Sequence, residues 1–267
     1  MRAGPLFLLF LLVPLACEAG VTVMGSLTRD LEVEPGRAYE GTIEVHNPDR
    51  IPHEVKVYQS DYFFYADGKV LYGEPGGLPR SNARWLTVLP PQVLIPPGES
   101  ASIRYSIQVP SDATLRGSYW SVIMVEPLPE GSPEAIASSS TQVTVGIQQL
   151  VRYAVQVITS IGATGSRQLR FSQIRLAADK EKRLLVVDLE NSGERWLRAN
   201  LWAELYDSKG SYVGRFDGGG HRLFPGTTAR FTVDLVGVQS STYKAVIVAD
   251  CGGDDVFGAN VNLVLKE

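Results

Sequence analysis

Residues 142–157 read QVTVGIQQLVRYAVQV, in which Val143, Val145, Ile147, Val151, Tyr153, Val155 and Val157 fall at every second position and only Gln149 interrupts the run. A period of two marks a β-strand, whose side chains alternate between faces. At about 3.3 Å per residue the stretch would reach roughly 50 Å, well beyond the ~17–20 Å of an ordinary strand. It is therefore expected to bend at Gly146 or to serve two neighbours in turn, leaving an edge open to a partner.

The sequence on either side supports an all-β chain. Upstream, residues 127–140 are rich in Pro, Ser, Gly and Glu and read as a long loop, a length that is uncommon without a function. Before the loop, residues 120–125 form a nearly continuous apolar strand. Ile103, Tyr105, Ile107 and Val109 alternate with Ser102, Arg104, Ser106 and Gln108 after the turn Pro97-Gly98. Ile43 and Val45 alternate with Thr42, Glu44 and His46 up to Asn47-Pro48, and Val55 and Val57 follow, so these segments read as neighbouring strands of one sheet. Tyr62, Phe63, Phe64 and Tyr65 lead into Asp67-Gly68, a hairpin signal with 69–72 as the return strand. These aromatics are expected chiefly to pack, with a ligand platform as the alternative. The run DATLRGSY, 112–119, resembles the tyrosine corner of immunoglobulin-like sandwiches.

Downstream, 162–167 (GATGSR) reads as a linker, after which the pattern repeats. Residues 184–189 end in Glu190-Asn191 as 43–45 ended in His46-Asn47. Pro225-Gly226 precedes Phe231, Val233 and Leu235 as Pro97-Gly98 precedes 103–109, and Thr242-Tyr243 precedes 245–248 as Ser118-Tyr119 precedes 120–125. Landmarks in the same order imply two copies of one plan. The expected architecture is all-β: an immunoglobulin-like domain over 20–160 and a second immunoglobulin-like β-sandwich over 161–267, ending in a strand over 259–265. Asp207-Ser208-Lys209-Gly210 is expected to be a hairpin turn, and Gly218-Gly219-Gly220 a loose hairpin loop.

Residues 1–19 have the order of a secretory signal peptide: Arg2, an apolar run over 6–16, then small residues with cleavage expected after Ala19. The apolar run is too short to span a bilayer, which takes about 20 residues. Cys17 also suggests a lipoprotein site, but Pro14 stands where such sites carry a large aliphatic residue, so Cys17 is expected to leave with the peptide. That would make Cys251 the sole cysteine of the exported chain, which must hold together without an internal disulfide. Residues 20–160 carry 10 basic against 15 acidic side chains and 161–267 carry 14 against 13, neither of which suits nucleic-acid binding.

Signals for catalysis are thin. His46, His53 and His221 are scattered, and no metal-binding spacing or Gly-x-Ser-x-Gly elbow is present. Asp250, Asp254 and Asp255 around Cys251 lack the alternating pattern of a calcium loop, and nothing local activates the thiol. The expectation is a non-enzymatic binding protein, with no cofactor and no metal.

The export signal, two immunoglobulin-like domains, a long loop and then an extended alternating strand together resemble the periplasmic pilus-assembly chaperones of the PapD type. The resemblance implies an exported, periplasmic or extracellular protein that lends a strand to a pilus subunit lacking its own. Val143, Val145 and Ile147 match the alternating side chains shown to that subunit, and Arg152 stands where the family has a basic residue for the client's terminal carboxylate. The family's second basic residue lies on the first strand, where Arg29 falls about two positions away when aligned through Asn47; Arg152 also has the opposite parity to Val143. Two other readings compete. Asp67-Gly68, Trp85, Pro97-Gly98 and 117–119 also resemble tandem immunoglobulin-like modules of cell-wall-associated surface proteins, which implies adhesion or a structural role at the cell envelope. The third is a saccharide-binding module built on Tyr62–Tyr65.

Overall fold

A computed structural model describes residues 20–129, 150–179 and 182–266. The first seven strands are β1 (Thr22–Val23), β2 (Thr28–Val33), β3 (Ala38–His46), β4 (His53–Phe64), β5 (Val70–Gly73), β6 (Leu86–Leu89) and β7 (Gln92–Ile95). They are followed by β8 (Ser100–Gln108), β9 (Gly117–Pro127) and β10 (Tyr153–Ile161). One sheet has the order β1-β3-β8-β6, and the facing sheet runs β2-β10-β9-β4-β5, with β7 also on β4. The second set is β11 (Leu169–Asp179), β12 (Lys182–Asn191), β13 (Leu197–Tyr206), β14 (Tyr212–Leu223), β15 (Thr228–Asp234), β16 (Thr242–Asp250) and β17 (Val256–Val264). Its sheets are β11-β12-β15 and β14-β13-β16-β17. The fold is two immunoglobulin-like sandwiches in tandem, as the alternation predicts.

Each sandwich has its own apolar core, supplied by the inward half of every alternating strand. Ile43, Val45, Ile103, Ile107, Val155 and Val157 meet in the first, and Leu185, Leu189, Leu201, Leu205, Phe231 and Ile247 in the second. A third cluster lies between them, where Trp120, Ile158 and Phe224 are buried with Tyr62, Phe63, Phe64 and Trp196 around them. The Trp120 and Phe224 rings stack at 4.8 Å between centroids and 8° between planes.

Several expectations need correction. β3 and β4 lie in different sheets, because the chain crosses the sandwich after the buried Asn47. Alternation shows which side chains face inward but not which strand is the neighbour. β4 also runs on through Tyr62, Phe63 and Phe64, and these aromatics cover the junction between sandwiches rather than ending the strand. The glycines at 218–220 lie inside β14, which runs through them with a register shift opposite Leu201/Trp202. The last strand starts earlier than expected, at Val256. Among the described residues Tyr119 Oη makes no corner bond to upstream backbone; its ring lies 4.8 Å from that of Trp85, with the Arg80 guanidinium 5.5 Å from its own centroid. The hydroxyl-to-backbone bond is found in the second copy, where Tyr243 Oη donates to the Gln239 carbonyl at 3.0 Å.

Candidate functional site

β10 takes in residues 153–157 of the alternating stretch, and two strands hold it. It pairs antiparallel with β9 along its whole length, from Tyr153 opposite Val125 to Ile161 opposite Gly117. On its other side β2 runs parallel to it, but only from Gln156 opposite Thr28 onward. Val157 is therefore not at a free edge; Val155 and Val157 are core residues of the first sandwich. The part of the expected strand at 142–149, with Val143, Val145 and Ile147, lies outside the described residues.

The edge of β10 opens before Gln156 because the N-terminal chain changes sheets there. Met24 N donates to the Glu44 carbonyl in the opposite sheet, while Leu27 O accepts from Gln156 N at 2.8 Å. Between them Gly25 adopts φ +80, a left-handed conformation that costs a side-chain-bearing residue about 1–2 kcal/mol. Since the Gln156 N–H points toward β2, the backbone groups of Ala154 and Arg152, at the same parity, turn toward that side too. Among the described residues no strand pairs with them there. Leu27, Leu150 and Val151 are exposed large apolar side chains flanking this opening.

The two basic residues singled out in the sequence sit apart. Arg152 precedes β10 on its outward face; its side chain is 57% exposed and Nη1 lies 3.5 Å from Glu126 Oε1. Tyr58 Oη donates to the other Glu126 oxygen at 2.7 Å. Arg29 aligns with Val157, five residues further along β10, on the inward parity. Its guanidinium donates to the Ser26 carbonyl and lies beside the Tyr105 hydroxyl. Burial pushes the Tyr105 phenol up, and the Arg29 charge opposes that shift.

Arg222, a cation between the sandwiches, is not among the residues the sequence marks for the site. Arg222, near the end of β14, donates through Nη1 to Thr28 Oγ1 at 3.0 Å and to Gln156 Oε1 at 2.9 Å, and its guanidinium carbon lies 4.9 Å from the Trp196 ring centroid. Burial lowers its pKa, and the nearby Asp30 carboxylate opposes this. Asp30 retains solvent contact as a residue, but crowding of its carboxyl end pushes it upward against the pull of Arg222, Trp196 and Arg195. Arg222 follows three glycines and a histidine, so no periodicity in the sequence marks it.

A second bridge centres on Glu194. Ser118 N donates to the Glu194 carbonyl at 2.7 Å, and Trp196 N donates to Ser118 Oγ at 3.1 Å. The Glu194 carboxylate accepts from Ser166 N at 3.1 Å and pairs with Arg116 at 3.1 Å and Arg80 at 3.4 Å. A Cβ on Gly117 would come within 2.2 Å of the Glu194 carbonyl oxygen. The β4–β5 hairpin forms a third bridge: Ala66 N donates to Thr228 Oγ1 at 2.8 Å, and Tyr62 and Phe64 meet Phe224 edge-on. Tyr62, Phe63 and Phe64 are thus packed at this junction, which takes most of the aromatic run out of any ligand platform.

The three histidines stand in separate settings. His53 contacts Asp49 at 2.7 Å, His46 contacts Ser100, and His221 lies edge-on to Phe231. Burial, the first cause, and the carboxylates of Asp255 and Asp250 push the Cys251 thiol up to about 11, so it is protonated at neutral pH. Among the described residues no three His, Cys, Asp or Glu side chains are grouped to hold a metal ion.

No protein-family model matches the chain, and no curated protein matches it. Solved structures do match. One described as "Chaperone-tip adhesin complex is vital for synergistic activation of CFA/I fimbriae biogenesis" aligns with a TM-score of 0.50 and 14% identity over 93% of this chain and 100% of that one. The class 5 fimbriae chaperone CfaA aligns with a TM-score of 0.46, 14% identity and the same coverage. The chaperone–tip adhesion subunit pre-assembly complex CsuC–CsuE of Acinetobacter baumannii gives 0.45, 14% and again 93% and 100%. Identity at this level speaks for the fold, and the fold of this chain is that of the PapD-type fimbrial chaperones.

Proposed function

We propose that this protein is an exported, non-enzymatic chaperone of the periplasm that captures fimbria-type subunits by strand pairing. Residues 20–160 are the capturing domain in this reading, 161–267 the second domain, and 1–19 the export signal. The observation that carries the proposal is the edge of β10 before Gln156, which no strand among the described residues pairs with where the chain changes sheets at Gly25. An edge of this kind offers backbone donors and acceptors to an incoming strand, and alternate side chains give specificity. Val143, Val145 and Ile147 share the parity of Tyr153, Val155 and Val157, which face the core of the first sandwich. Projected beyond that core, they fill a partner's sandwich, each contributing about 1.5–3 kcal/mol before ordering costs. Arg152, outward and largely exposed, is available to a carboxylate of the partner through paired hydrogen bonds.

The test is capture of subunits from a periplasmic extract, with partners identified by mass spectrometry, comparing wild type, a Val145→Asp/Ile147→Asp double variant and Arg152→Ala. All must first give native circular dichroism. Exported β-rich subunits bound by wild type, lost from the folded double variant and weakened by Arg152→Ala are the expected result. A folded double variant that keeps the same partners, or one that cannot fold because those side chains belong to its core, overturns strand capture.

A further inference from the structure

The strand β17 closes the second sandwich at an edge built unlike the other long edges. Among the described residues it pairs with β16 alone, through all nine residues from Val256 opposite Asp250 to Val264 opposite Thr242. An uncovered strand edge tends to recruit another strand, and folded proteins usually blunt it with charge, proline, a bulge or brevity. Three other described edge strands follow that rule: β11 carries Arg170 and Arg175, β14 carries Arg215, Asp217 and Arg222, and β15 carries Arg230 and Asp234. β17 reads VFGANVNLV, without a charge or a proline, and its pairing with β16 shows no register shift. Val256 and Val264, at its two ends, are 56% and 53% exposed on the outward face.

The order of residues also makes the strand its own complement. Laid antiparallel on a second copy about a two-fold axis through Asn260, it brings Val256 opposite Val264, Phe257 opposite Leu263, and Ala259 opposite Val261. Asn260 meets its own counterpart, where one amide can donate while the other accepts. Gly258 meets Asn262, and a Cβ at Gly258 would touch only the Ile247 carbonyl, at an ordinary 3.6 Å, so packing within the sandwich does not require a glycine there. A glycine in a strand interior is commonly a place of close approach from outside. No pair in this register sets like charges against each other, the arrangement that would destabilise it. We propose that β17 is a homodimerisation edge, joining two copies of this chain through one continuous eight-stranded sheet. The contact is isologous and closes on itself, giving a dimer rather than a fibre. The open edge of β10 lies in the other sandwich, so the dimer does not depend on the chaperone reading.

Sedimentation velocity on the protein purified after expression of the full chain, over a wide concentration range, tests this with Asn260→Lys and Asn260→Asp. Both substitutions replace an exposed side chain and place like charges on either side of the two-fold axis. The expected result is a concentration-dependent wild-type dimer, each variant monomeric alone, and a heterodimer on mixing the two. A second readout needs no variant: amide exchange along β17 slows as wild-type concentration rises. A wild type that stays monomeric at every concentration overturns the proposal. So does a dimer that persists unchanged in both variants, or amide exchange in β17 that is independent of concentration.

Discussion

Asn47 and Asn191 make the same hydrogen bonds in the two sandwiches. Each is fully buried at the end of a core strand. Asn47 Nδ2 donates to the carbonyls of Ile51 at 2.8 Å and Ile95 at 2.9 Å, and Asn191 Nδ2 to those of Arg195 at 2.7 Å and Leu223 at 3.0 Å. Their Oδ1 atoms accept from Asp49 N and Gly193 N, each two residues on. Their own carbonyls accept from Gly98 and Gly226, the glycines of the two Pro-Gly turns. Replacing either by Ala strands buried carbonyl groups, and each stranded polar group costs about 1–3 kcal/mol. Asn47→Ala and Asn191→Ala should lower urea-unfolding stability by similar amounts, at least about 1–3 kcal/mol each. A change within a few tenths of a kcal/mol at either position would show that the clamp is ornamental there.

Phe224 is fully buried between the sandwiches, stacked on Trp120 and met edge-on by Tyr62 and Phe64. Phe224→Ala should cost about 3–5 kcal/mol, as for other large-to-small changes in a core. The cluster holds the halves together, so calorimetry should resolve one transition in wild type and two in the variant. A single transition that merely moves down in temperature would place the coupling in the Glu194 and Arg222 bridges instead.

Glu194 predicts a pH dependence at the same junction. The Ser166 N–H, first, and then the Arg116 and Arg80 charges hold its carboxyl below the usual range, against an opposing effect of desolvation. A carboxyl depressed in the folded state adds stability above its unfolded pKa and loses it as pH falls through the folded value. Coupling between the sandwiches should therefore hold at neutral pH and weaken only in acid, below the ordinary glutamate range. Glu194→Gln should flatten this acid dependence; an identical acid profile in the variant would assign it to another carboxylate.

Cys251 should be a slow thiol. With its pKa pushed up to about 11, the thiolate fraction at pH 8 falls on the order of a hundredfold below that of an ordinary cysteine near 8.5. Reaction with a chromogenic disulfide should be slow on the native protein and fast in denaturant, and should accelerate up to alkaline pH. Fast labelling of the native state at pH 8 would contradict the burial of this side chain.

Reading the chain without coordinates recovers whatever recurs locally. Alternation placed Ile103, Tyr105, Ile107 and Val109 in the core, and the paired landmarks Asn47 with Pro97-Gly98 and Asn191 with Pro225-Gly226 identified the duplication. What it misses depends on a partner distant in sequence. Nothing near Val45 or Val55 says that these strands occupy opposite sheets. The similar runs ending in Tyr119 and Tyr243 diverge because Trp85 and Arg80 engage the first ring, leaving the corner bond to the second. Arg222 matters because Thr28 and Gln156 of the other sandwich come to it, and no spacing within residues 212–223 encodes that meeting.

The bond from Gln156 N to Leu27 O fixes where the strand phase of β10 begins. Side chains upstream inherit their face by counting back from that point, and a shift of one residue exchanges the two faces. Deleting Arg152 would carry Val151 to the side that Arg152 now occupies, without altering Val151 itself. The spacing of the short connector from Leu150 to Tyr153 therefore carries information of its own. Drift among related chains should respect its length modulo two even where its composition varies freely.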